Sequence, residues 1–138
     1  METMNHECYV SLEVAKLLKE AGFDWEVQSY YSKLSRKQGR LLWLPCGCMY
    51  KENINTNKNR YSAPTLDVAQ RWLREVKDID VYIFPTTNNK RGCVYEWGIK
   101  TFGRALWVEG QPYTNQYEIY EEAQEASIKK ALEIILQK

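Results

Sequence analysis

The residues in this chain best suited to chemistry are basic and aromatic, and they lie close together. Lys33, Arg36, Lys37 and Arg40 follow Tyr30 and Tyr31 and precede Trp43. Ammonium and guanidinium groups bind phosphates, and aromatic rings stack on bases. The grouping points to a nucleotide or nucleic-acid site made by Tyr31, Lys33, Arg36, Lys37, Arg40 and Trp43. The same residues fit two plainer roles. Charges on a solvated hairpin keep an exposed sheet edge from pairing. Bases can also pair with acids elsewhere in the chain or on a second copy.

Other reactive side chains are sparse. Cys46-Gly47-Cys48 is a short CxC, and Cys8, Cys93 and His6 stand apart from it. Structural zinc sites use wider CxxC knuckles, so no metal is expected. The thiols read instead as small apolar residues. His6 is the single histidine and lies in residues 1–8, which are expected to fray, so it is a poor general base. Asp24 and Glu26 share one strand face, as do Asp78 and Asp80, and Glu96 adjoins Trp97. Solvated strand faces carry acids in the same pattern. The chain has no GxGxxG, P-loop or GxSxG segment, so it is read as non-catalytic, with no cofactor.

Net charge is only +1, which excludes whole-molecule attraction to nucleic acid or to an anionic membrane. The local distribution is less even. Between Ser32 and Arg60 lie seven bases (Lys33, Arg36, Lys37, Arg40, Lys51, Lys58 and Arg60) and one acid, Glu52. Glu109 to Glu125 holds five acids and no base. Aromatic residues make up 13% of the chain, with ten Tyr and five Trp, enough for an aromatic contact face. The leading expectation is a small binding or interaction protein whose partner is another protein or a second copy of itself. The alternative is nucleotide or nucleic-acid binding through the basic hairpin.

The elements that position these residues are legible in outline. Ser11 caps a helix that Gly22 ends. Thr65 caps a second helix after Pro64, with Leu66, Ala69, Leu73 and Val76 on one face. Ser11–Leu18 resembles Thr65–Trp72, and an alternating strand follows each, so a helix–strand unit is used twice. Residues 120–137 lack Gly and Pro and form the third helix. Strands are expected at 23–31, 41–44, 79–84 (ended by Pro85), 93–100 and 105–109. Residues 53–59, with four Asn, are expected to be a mobile loop. The order α-β-β-α-β-β-β-α gives an α+β fold with one mostly antiparallel sheet of about five strands.

At 138 residues the chain fits a single domain over 1–138. No apolar run approaches the roughly 18 residues of a membrane span. The N-terminus has no apolar signal region. A cytoplasmic protein with reduced thiols, and no membrane partner, is therefore expected.

Three blocks carry a resemblance: YVSLEVAKLLKEAGFDW (9–25), SAPTLDVAQRWLRE (62–75) and YEEAQEASIKKALEIIL (120–136). Together they resemble an uncharacterised family of small proteins from gut anaerobes and their phages or mobile elements. The resemblance covers about a third of the chain and implies a recurrent fold. It brings no established activity or site residues. The basic segment 32–60 has no counterpart in it, so a function located there would be particular to this protein.

Overall fold

The computed structural model describes residues 8–45, 50–101, 107–109 (main chain only) and 116–137. It has an α+β fold built from two compact units, Met1–Asp67 and Val68–Lys138. Each unit holds a three-stranded antiparallel sheet. The expected single sheet is therefore two sheets. The physical reason is pairing. The first-half strands are short and satisfy one another, and so do the second-half strands.

In the first unit, α1 (Leu12–Ala21) begins where Ser11 accepts a hydrogen bond from the Val14 N–H at 3.3 Å. It ends at Gly22, whose φ of 98° lets its N–H reach back to the last turn. Val14, Ala15, Leu18 and Ala21 are buried. The sheet has the order β2-β1-β3, with β1 at Ser29–Ser32, β2 at Leu42–Trp43 and β3 at Arg60–Ser62. Strand one is shorter than expected. Phe23 and Val27 are buried as the alternation requires, but residues 23–28 form only an isolated bridge, Val27 to Glu52. Strand β3 was not foreseen. The chain is tied down from Cys8 onward, whose carbonyl accepts from the Leu66 N–H, while Tyr9 bridges Thr65.

Residues 53–59 are not the loose loop expected. Ile54–Thr56 is a 3-10 turn with Ile54 fully buried. Asn53 accepts from the Asn55 N–H, Asn57 from the Asn59 N–H, and Asn55 bonds both the Phe23 carbonyl and the Ser62 N–H. Asn side chains substitute for missing backbone partners in such turns, so the composition that suggested a loop is what fixes it.

In the second unit, α2 (Leu66–Val76) leads through Asp78, in the left-handed region at φ 57°, into β4 (Ile79–Asn88). Antiparallel β5 (Gly92–Thr101) follows, and β6 (Trp107–Glu109) closes the order β4-β5-β6. Pro85 does not end β4; it pairs with Tyr95 inside the ladder. A proline fits there because β4 is an edge strand, where one side of the backbone needs no donor. The turn is closed by Asn88, which accepts from the Lys90 and Arg91 N–H groups. The final helix α3 (Tyr120–Leu136) packs on β4 and β5. Gln124, 2% exposed, donates to Gln70, which donates to the Val81 carbonyl, so a polar chain links α3, α2 and β4. The turn expected at 101–104 lies outside the described residues except for Thr101, which ends β5.

Candidate anion-binding basin

The site is built entirely within the first unit. Antiparallel pairing sets Tyr31 directly opposite Tyr61, so the two rings lie on one face of the sheet. The ladder continues one step, with the Lys33 N–H donating to the Asn59 carbonyl at 2.8 Å. Side chains alternate along a strand, which returns Lys33 to the Tyr61 face. Lys16 and Lys19 on α1 are three residues apart and therefore neighbours on the helix surface.

These elements bring three ammonium groups to one ring. The Nζ atoms of Lys16, Lys19 and Lys33 lie 5.8, 5.3 and 5.5 Å from the centre of Tyr61. No two of the nitrogens can be farther apart than about 11 Å, the two longest ring distances laid end to end. That is close to the distance over which salt screens exposed charges, so the three repel one another. Around them opens a recess of about 530 Å³, lined by these lysines with Glu20, Asn55, Thr56, Lys58 and Tyr61. Four bases thus face one acid.

Lys19 has a second task. Its ammonium donates to the Asn57 and Arg60 carbonyls, both at 2.8 Å, and so fastens α1 to the entry of β3. Its pKa is lowered from 10.5, first by burial and then by the charge of Lys33. Arg60 aims elsewhere: its guanidinium lies 4.3 Å over the ring of Tyr30, which alternation places on the opposite sheet face.

The residues singled out from sequence separate. Lys33 enters the basin. Tyr31 does not: it is 7% exposed and its hydroxyl donates to the Val10 carbonyl at 2.6 Å, which makes it core. Arg36, Lys37 and Arg40 are exposed on the turn after β1, folded by Gln38 donating to the Lys33 and Ser35 carbonyls. They do not line the recess. Trp43 is half exposed and packs edge-on against Tyr9 at 5.2 Å, also outside it. Sequence reasoning missed Lys16, Lys19 and Tyr61. A Lys-x-x-Lys pair on a helix next to Glu20 looks like any solvated face, and only the register of β3 brings Tyr61 to it.

Cys46, Cys48 and His6 lie outside the described residues. Among the described residues no group of His, Cys, Asp and Glu is arranged to hold a metal. No described helix is long and apolar enough to cross a membrane. No family model, curated protein or solved structure matches the chain.

Proposed function

We propose that this protein is a small, non-catalytic binding protein whose ligand carries phosphate. The binding surface is the basin of Lys16, Lys19, Lys33 and Lys58 around Tyr61. One observation carries the reading: three ammonium groups converge within 6 Å of one ring centre, in a recess with a single carboxylate. Gathering like charges costs free energy that an anion returns. The reading keeps the phosphate-binding alternative drawn from sequence and moves its centre from the turn at 36–40 to the helix–strand face. A role as an accessory factor of a phage or mobile element belongs to the same proposal.

The test is calorimetric titration of the full chain with ATP, without magnesium, at low and moderate salt. Three phosphate contacts give a salt slope of about −2, so raising salt from about 50 to 200 mM should weaken binding roughly fifteenfold. Affinity that ignores salt, or no binding at the lower concentration, contradicts the proposal.

A further inference from the structure

The geometry points to a ligand recognised by its density of adjacent phosphates, with no reading of a base. This deepens the proposed function and rests on it. The shared chemistry is a short run of neighbouring phosphate groups, whether in an inorganic polyphosphate or in the triphosphate of a nucleotide.

Four observations support it. First, the ring that could stack a base is occupied. Tyr61 carries the ammonium groups of Lys16, Lys19 and Lys33, and the two tyrosines of β1 are committed too. Tyr31 is core, while Tyr30 is 9% exposed with Arg60 over its face. Base recognition in single strands depends on open aromatic faces. Second, the side chains of Asn55 and Thr56 in the basin are already engaged. Asn55 uses its amide nitrogen on the Phe23 carbonyl and its oxygen on the Ser62 N–H, and the Thr56 hydroxyl donates to the Asn53 carbonyl. They are poorly placed to read a base edge. Third, the cations lining the recess are all lysines. Lysine acts as a hydrated point charge, whereas arginine supplies the planar fork that suits a single phosphate held bidentately. Several point charges around one space suit an anion whose charge is itself spread over several groups. Fourth, the recess, about 530 Å³ and open to solvent, has room for several adjacent phosphate groups.

Lys19 adds a detail. Two carbonyls hold its ammonium in place, so a charge in the basin's lining is fixed before any ligand arrives. Lys16, Lys33 and Lys58 line the same recess from separate stretches of the chain.

The experiment is a set of calorimetric titrations of the full chain at low salt without magnesium. The probes are sodium tripolyphosphate, ATP, AMP, adenosine and an oligothymidylate of roughly twelve nucleotides. Tripolyphosphate and ATP should bind within about threefold of each other, AMP at least about tenfold more weakly, and adenosine not at all. The oligothymidylate should be no tighter than tripolyphosphate. The double variant K16M/K33M should lose at least about tenfold for tripolyphosphate while its circular dichroism is unchanged; R36E/K37E should stay within about threefold of wild type. ATP much tighter than tripolyphosphate, or AMP equal to ATP, means a base is read and overturns this inference while leaving the proposed function standing. An oligothymidylate much tighter than tripolyphosphate does the same in favour of a strand. An equal loss in R36E/K37E moves the site to the turn and overturns it too. If no phosphate-bearing probe binds, the inference and the function both fall.

Discussion

Lys19 and Lys33 approach the same ring from different parts of the chain, one from α1 and one from just past the end of β1, with Nζ atoms 5.3 and 5.5 Å from the centre of Tyr61. The charge of Lys33, added to burial, lowers the pKa of Lys19. Lys33 therefore disfavours the charged form of Lys19 in the folded state. Lys33→Met should leave thermal stability unchanged or slightly raised while weakening anion binding. The pH dependence follows from the sign of the shift. Below its folded pKa Lys19 is charged in both states, and the repulsion is fully present. Between that value and the ordinary 10.5 the unfolded chain holds more protons, so folding gains as pH rises. Any advantage of K33M should thus be greatest at neutral pH and fade as pH approaches 10.5. Chemical denaturation of both proteins across that range measures it, and a growing advantage would contradict the account.

Lys19 itself is structural as well as electrostatic. Lys19→Met keeps the aliphatic stem but frees the Asn57 and Arg60 carbonyls. Hydrogen bonds from charged donors are worth more than neutral ones, and these are partly solvated, so a loss of about 1–2 kcal/mol is expected. Amide exchange should speed up at 57–60 more than at Ile99 or Leu132, which are 1% or less exposed.

Tyr31 and Tyr61 face each other across one ladder yet should respond oppositely to substitution. Tyr31→Phe removes a buried hydroxyl bonded to the Val10 carbonyl and should cost about 1–2 kcal/mol with no change in tripolyphosphate affinity. Tyr61→Leu should weaken that affinity with a smaller effect on stability, because its ring is only half-buried. Denaturation and calorimetry on the two variants separate the roles.

In the second unit, Gly98 is open to a sharper test. A Cβ there would overlap the Cζ and hydroxyl of Tyr82, so the ring must move. Tyr82 is stacked on Phe84 at 6.0 Å, which restricts that movement. Gly98→Ala should destabilise by about 1–3 kcal/mol. Adding Tyr82→Ala should make the second step cheaper than Tyr82→Ala alone, a coupling that a double-mutant cycle reads directly.

How much of this was legible depended on whether a feature is local. Ser11 and Gly22 marked both ends of α1, and the Gly- and Pro-free run marked α3, because caps and propensity act within a few residues. Strand β3 was not legible: Arg60-Tyr61-Ser62 is three residues long and exists through its partner β1. Pro85 was misread because whether proline ends a strand depends on which side of the sheet the strand occupies. The site was half legible for the same reason. Lys33 stood in a basic run, whereas Lys16 and Lys19 stood on a helix of mixed charge. Tyr31 and Tyr61 could be assigned to core and basin only once their burial and partners were known.

The central claim is that phosphate binds at the helix–strand basin. The most direct measurement is nuclear magnetic resonance of the lysine side chains and tyrosine rings during titration with sodium tripolyphosphate at low salt. The account predicts shifts at Lys16, Lys19, Lys33, Lys58 and Tyr61 that saturate together, with Lys37 and Tyr31 little changed. Saturating shifts centred on Lys37, or none at the basin lysines, would contradict it.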